Sequence, residues 1–369
     1  MGSKRDTDIS GSGSSEASRP LQSVGVGLVG YGLSGSTFQA PIIETVDGLE
    51  LKKVVSSRPE EVHRDWPDVE VVRNAGELFD DPEIQLVVIS TPTETHYQFA
   101  KEALSAGKHV VVEKPFLVRT SEADELIQLA QERGAVLSVY QNRRWDNDFL
   151  TVRSCIDGGL LGEIYTYEAH YDRYMLPVGF YGQRREQEAE GSGTLYDLGP
   201  HLIDQALVLF GLPETVWADV RAQRPDSKVI DYFHLVLGYG RLRAILHSGY
   251  MVKNQGPHFA VHGDKGSFIK YGMDSQEEAL LAGKRPGGPG WGEDRESLHG
   301  ELTTEVGGFS LTSKVQTIPG SYESFYSRIV DAINKGTAVP VDATEARNTI
   351  AVIECAIQSA KEGRVIQFG

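Results

Sequence analysis

Three residues in two separated motifs could perform acid–base chemistry on an alcohol or a carbonyl. Lys114 lies in Val111-Val112-Glu113-Lys114-Pro115-Phe116, directly after a β-branched run. A lysine at the carboxyl end of a buried strand can hydrogen-bond a substrate oxygen and stabilise charge developing on it. Pro115 restricts the backbone and biases Lys114 towards an extended conformation. Asp197 and His201 lie in Gly191-Ser192-Gly193-Thr194-Leu195-Tyr196-Asp197-Leu198-Gly199-Pro200-His201-Leu202-Ile203-Asp204. One helical turn apart, they can share a face at the start of a helix expected from about Leu198 to about Phe210. An imidazole changes charge near neutral pH, and a carboxylate beside it can orient it as a general base. Taken singly, the first motif also fits a surface lysine beside a proline. The second also fits a helix-capping Asp followed by a hydrogen-bonded histidine.

The elements that must position these groups begin with Val24-Gly25-Val26-Gly27-Leu28-Val29, an apolar strand running into Gly30-x-Gly32-x-x-Gly35. In a dinucleotide fingerprint the first glycine permits the tight turn and the second lets the backbone approach a pyrophosphate. The third lets the next helix pack on the strand, with its N-terminal amides aimed at the phosphates. Leu33 and Ser34 complete that turn, and Thr37-Phe38-Gln39-Ala40 can continue into a helix. A second strand, Leu51 to Ser56, follows. NAD-specific sites carry Asp or Glu roughly 20 residues beyond the glycines. Here the strand ends in Ser56-Ser57-Arg58 without an acid. Two hydroxyls and a guanidinium suit a 2′-phosphate, so the expected cofactor is NADP rather than NAD.

Further strands are expected at Leu86–Ser90, His109–Val112 and Val136–Tyr140, with helices over Thr95–Ala106 and Ser121–Arg133 stopped by Gly107 and Gly134. The alternation describes a doubly wound parallel sheet over residues 21–141. After Arg144 the texture changes. Ile164–Tyr171, Val216–Ala222, Tyr232–Leu237, Arg243–Tyr250 and Phe259–Gly263 read as strands of a largely antiparallel open sheet, making residues 142–369 an α+β substrate and oligomerisation domain. Its exposed face suggests a homo-oligomer, a dimer or tetramer. Met273 to Gly308 is polar and rich in Gly and Pro, and reads as a lid, an arm or a mobile excursion. Asp342-Ala343-Thr344-Glu345 resembles a capping box opening a helix that reaches about Lys361.

Composition narrows the partners. A formal net charge of −16 over 369 residues, without a dense Lys/Arg run, argues against nucleic acid and anionic membrane. Residues 1–20 are rich in Ser, Gly and Asp and read as a disordered leader, not a signal peptide. Cys155 and Cys355 lack metal-ligand spacing, so reduced thiols, no bound metal and a cytoplasmic setting are expected.

In order and spacing, Gly30-x-Gly32-x-x-Gly35, Glu113-Lys114-Pro115 and Gly193-x-Leu195-x-Asp197-x-Gly199-x-His201-x-x-Asp204 resemble the signatures of the Gfo/Idh/MocA oxidoreductases. Gln141-Asn142-Arg143-Arg144-Trp145-Asp146, Tyr171-Asp172-Arg173-Tyr174, Asp231-Tyr232-Phe233-His234 and Lys270-Tyr271-Gly272 are similar to the branch containing NADP-dependent scyllo-inositol dehydrogenases. Ser192 stands where many members have a third glycine. The resemblance implies that Lys114, Asp197 and His201 form the catalytic group, and that Thr91, Pro92, Thr93 and His96 line the nicotinamide side with Glu113 nearby. It places Arg144 and Trp145 beside the cofactor, and Tyr171 and Arg173 facing substrate. The activity it implies is NADP(H)-dependent interconversion of a secondary alcohol and a ketone on a cyclitol, polyol or sugar. Alternatives left open are a reductase of a keto-sugar or anhydro-sugar, and a catalytically silent NADP-sensing regulator.

Overall fold

Apolar or glycine at every position, Val24 to Val29 suits a strand covered on both faces, and it forms β1 (Val24–Val29) with every residue buried. The computed structural model describes residues 23–176 and 188–369, so the leader expected over residues 1–20 lies outside them. Around β1 gather β2 (Leu49–Val55), β3 (Glu70–Val72), β4 (Leu86–Ile89), β5 (His109–Val112) and β6 (Leu137–Val139). The order is β3-β2-β1-β4-β5-β6, with every pair parallel. Strand order reverses between β1 and β4, and a crevice for ligand opens beyond the carboxyl ends of such strands. Helices His96–Ser105 and Thr120–Arg133 cover the sheet, followed by Gly107 and Gly134 at φ of 78° and 61°.

The second sheet contains β7 (Ile164–His170), β8 (Thr215–Arg221), β9 (Tyr232–Tyr239), β10 (Leu242–Gly249), β11 (Phe259–Gly263), β12 (Gly266–Lys270), β13 (Gly300–Val306), β14 (Phe309–Val315) and β15 (Ile366–Gln367). They are ordered β14-β13-β12-β11-β7-β10-β9-β8-β15. Among the described pairings, β7–β10 is parallel and the others are antiparallel. Alternation shows one face turned to the core: Phe233, Leu235 and Leu237 of β9 are buried, whereas Tyr232, His234 and Val236 are partly exposed. No helix among the described residues is long and apolar enough to cross a membrane.

The stretch from Met273 to Gly308 departs from the expected excursion. It contains a helix, Gln276–Leu281, and the strand β13, which bridges β12 and β14. Gly-Glu-Leu-Thr-Thr-Glu-Val offers few apolar residues, so β13 escapes a reading based on hydrophobic alternation; its ladder bonds and buried Leu302 define it instead.

Two apolar cores result, and the last long helix enters both. Ala346 and Ile350 of Ala343–Glu362 pack with the first sheet, while Val352, Ile353 and Ala356 pack with the second. Helix Glu323–Lys335 also returns to the first core through Phe325, Tyr326, Ile329 and Val330. The first core therefore takes in chain from well beyond the boundary expected near residue 141. The start of Ala343–Glu362 is pinned as its sequence suggests: Asp342 accepts from the Thr344 N–H at 2.8 Å, and Glu345 accepts from the Asp342 N–H at 3.2 Å. Replacing Asp342 by Ala removes the capping oxygen and should cost about 1 kcal/mol. A lowered urea midpoint with an unchanged slope would register that loss; an unchanged midpoint would show that the cap contributes nothing.

Candidate active site

The glycine turn leaves β1 with Gly30 at φ 99°, where a Cβ would stand 2.6 Å from the Ser90 carbonyl oxygen. A Cβ on Gly35 would collide with the Gly30 carbonyl, so the helical segment Ser34–Gln39 can lie this close to β1 because that atom is missing. At Gly32 a Cβ meets no protein atom within 4 Å. Gly32 instead borders a cavity of about 470 Å³, also lined by Gly30, Tyr31, Ser56, Ser57, Arg58, Ser90, Thr91 and Pro92. Open space over backbone at the switch point is the fit a pyrophosphate requires. Ser56-Ser57-Arg58 closes its far end with no carboxylate among the lining residues. The Arg58 guanidinium donates to the Tyr31 carbonyl at 2.9 Å and pairs with Glu61 at 2.8 Å. Ser56 Oγ accepts from the Arg58 N–H at 3.1 Å.

Ser90, Thr91 and Pro92 also border a second, larger cavity of about 760 Å³. Leu33, Ser34, Thr93, Glu113, Lys114, Arg173, Asp197 and His201 line it, so these expected site residues share one cleft between the two sheets. Lys114 projects from the end of β5. Its ammonium donates to the Asp197 carboxylate at 2.9 Å and to the Asp197 carbonyl at 2.8 Å. Both side chains are more than four-fifths buried. Asp197 ends the single turn Thr194–Asp197, and His201 lies near the start of the following helix, Gly199–Phe210. Gly193 makes the entry, at φ 84°, where a Cβ would come within 2.6 Å of the Ile230 carbonyl oxygen. Glu113, beside Lys114, is a buried acceptor shared by several donors. The Ser34 hydroxyl donates to it, as do the Gln39 amide at 2.6 Å and the Lys114 N–H at 2.9 Å.

Five expected site residues stand outside both cavities: Gly35, packed against the Gly30 carbonyl, and the four that follow. His96 is buried behind the cleft, where its ring lies 2.9 Å from the Thr91 carbonyl and 3.0 Å from that of Pro115. Burial lowers its pKa, against the raising effect of the carbonyls around it. Arg144 forks onto buried Asp204 at 2.7 and 2.8 Å and reaches Glu345 at 2.8 Å, because a carboxylate so deeply buried needs a cation. Trp145 packs edge-on against Phe325 in the first core. Tyr171 is fully buried, under the Arg143 guanidinium 5.3 Å from its ring centre.

Arg143, one residue before the expected arginine, lines the cleft instead. It pairs with Asp146 at 3.1 Å and with Glu277, whose pKa the arginine charge lowers. Glu277 and Leu281 bring helix Gln276–Leu281 to the cleft wall. The adjacent Arg143-Arg144 pair marks this region in the sequence, but only the turn Asn142–Trp145 decides which arginine points inward.

Comparison with known proteins agrees on the class. Residues 24–141 match an oxidoreductase-family NAD-binding Rossmann fold, and residues 153–368 match an oxidoreductase-family C-terminal alpha/beta domain. The chain is an NAD(P)-dependent dehydrogenase or reductase acting on CH–OH groups. It belongs to the Gfo/Idh/MocA oxidoreductase family. The NADP(+)-dependent scyllo-inositol 2-dehydrogenase IolW of Bacillus subtilis strain 168 is 47% identical over 350 residues, 95% of this chain and 97% of that protein. The uncharacterized oxidoreductase YdgJ of Escherichia coli K12 is 46% identical over 91% of this chain and 96% of its own length. Among solved structures, yvaA of Bacillus subtilis superposes with a TM-score of 0.92 at 46% identity, covering 95% of this chain and all 100% of that one.

The Glu113 cluster generates a prediction. Glu113→Gln turns one acceptor oxygen into a donor facing Ser34 or Lys114. It should lower stability by about 1–3 kcal/mol and weaken dinucleotide binding. Chemical unfolding and a nucleotide titration measure the two effects; wild-type values in both would mean that the cluster does not organise the turn.

Proposed function

We propose that this protein interconverts a secondary alcohol and a ketone on a cyclitol, polyol or sugar, using NADP(H). Convergence of Lys114, Asp197 and His201 on a cleft that shares Ser90, Thr91 and Pro92 with the glycine-turn cavity carries the reading. Bound nicotinamide supplies hydride acceptance and donation. In the oxidative direction His201 takes the hydroxyl proton, and reduction runs the same transfer backwards. An ammonium has three donors, of which Lys114 gives two to Asp197, leaving one for the substrate oxygen. Asp197 thereby fixes the angle at which Lys114 meets that oxygen. Arg143, Arg173 and Glu277 offer donors and an acceptor to the other hydroxyls. The similarity to a scyllo-inositol 2-dehydrogenase supports a cyclitol, and that relative's NADP(+) dependence agrees with Ser56-Ser57-Arg58. The reading includes a homo-oligomer, dimer or tetramer, assembled through the outward face of the second sheet, where Trp217, Val236 and Ile245 form an apolar row.

Lys114→Ala and His201→Ala should each lower kcat by about 10²-fold or more, the scale of lost acid–base or electrostatic assistance. NADPH affinity should hardly change in His201→Ala. Steady-state kinetics on a cyclitol and polyol panel, with folding checked by circular dichroism, test this. Near-wild-type turnover in either folded variant overturns the catalytic assignment.

Cofactor choice gives a second test. Ser57→Asp combined with Arg58→Ala replaces donors to a 2′-phosphate by an acceptor that repels it and welcomes the NAD hydroxyls. The ratio of kcat/KM for NADP over NAD should fall roughly ten- to hundredfold, the equivalent of one or two decades in an equilibrium constant. A wild type that already prefers NAD would refute this use of the strand end.

A further inference from the structure

Away from the cleft, one end of the outward sheet face carries a row of imidazoles. His170 closes β7, His247 faces it across the parallel β7–β10 ladder, and His234 faces His247 across β9–β10. Alternation puts all three on the side opposite the core, which takes Ala169, Leu246, Phe233 and Leu235. Two residues beyond His170, Asp172 projects the same way. Its carboxylate oxygens stand 3.3 Å from His170 Nδ1 and 2.7 Å from His247 Nδ1. One donor atom from each of His170, Asp172 and His247 lies within 4.8 Å of the other two.

We propose that His170, Asp172 and His247 bind a divalent transition-metal ion of borderline softness, with zinc the best match. Two imidazole nitrogens and one carboxylate are the ligand types zinc takes, and three protein ligands leave the fourth position open. Separations of 2.7 and 3.3 Å are close to the edges of a polyhedron built on metal–ligand bonds of about 2.0–2.2 Å. The surroundings are those of a held site. The Gly249 N–H donates to Asp172 at 3.1 Å, and Glu168 stands 3.5 Å from His170 Nε2, where it orients the ring with Nδ1 towards the ion. The ion would join β7 to β10 at the parallel pairing, and parallel ladders are slightly less stable per residue than antiparallel ones. No residue of this group lines the catalytic cleft.

The test uses the full chain freed of metal by dialysis against a chelator. Titration with zinc chloride by calorimetry should show one ion per chain, and cobalt(II) should give visible absorption bands of a bound ion. His170→Ala and His247→Ala should weaken zinc binding by about tenfold or more. His262→Ala, an exposed imidazole on β11 outside the group, should bind as wild type. Asp172→Asn, close to isosteric, serves if either alanine variant fails to fold, and should weaken binding likewise. Absence of saturable binding, or wild-type binding by the folded variants, overturns the proposal.

Discussion

The contact between Lys114 and Asp197 is the one on which the cleft depends. Lys114 is rooted in the first core through β5, and Asp197 in the second through the turn before helix Gly199–Phe210. With both side chains largely covered, the pair is screened less than a surface ion pair, for which about 0–1 kcal/mol is usual. Each group also disciplines its neighbours. Glu113 anchors the glycine-turn helix to the residue before Lys114, and His96 clamps the carbonyls of Thr91 and Pro115 on the other side. The ammonium is thus fixed in space before any substrate arrives, which is the condition for electrostatic assistance without reorganisation.

Arg144, expected beside the cofactor, also braces this frame. Arg144 gives its whole guanidinium to Asp204 and Glu345, joining the turn Asn142–Trp145 to the helix of His201 and to the cap of Ala343–Glu362. Domains in one chain usually move against each other across a modest interface. Here a single helix packs into both cores, and an arginine fork crosses the same boundary. The two halves of the site are consequently held as one frame.

Legibility followed the strength of the local signal. The glycine turn, the buried strands β4 and β5, and the capping box at Asp342 are short-range patterns, and they stand within a residue or two of where the sequence places them. Lys114, Asp197 and His201 were readable because their motifs combine residue type with a strand end or helix start. Distinguishing Arg143 from Arg144 was not possible, since two adjacent arginines on a tight turn look alike until Asp204 and Glu277 are seen to claim one each. Glu277 itself sits in a polar stretch with no periodicity, and its place at the cleft is set by long-range pairing with Arg143. The cluster of His170, Asp172 and His247 is equally silent in sequence, because its members meet through the β7–β10 register.

Charge poses a last question, because a chain of net charge −16 must hold a polyanionic dinucleotide. Positive side chains at the cleft do not answer it by number, since they are largely matched: Lys114 by Asp197, Arg143 by Asp146 and Glu277, Arg58 by Glu61. Burial works against the charge of Arg143, but its neighbours, Asp146 and Glu277 among them, keep its pKa well above the ordinary value. What the glycine turn offers is backbone: the bare approach at Gly32 and the start of the helical segment behind it. Amide dipoles carry no net charge to be neutralised by a carboxylate, and their strength at a helix start does not depend on the protein's overall sign. An acidic protein can therefore bind this anion through its backbone.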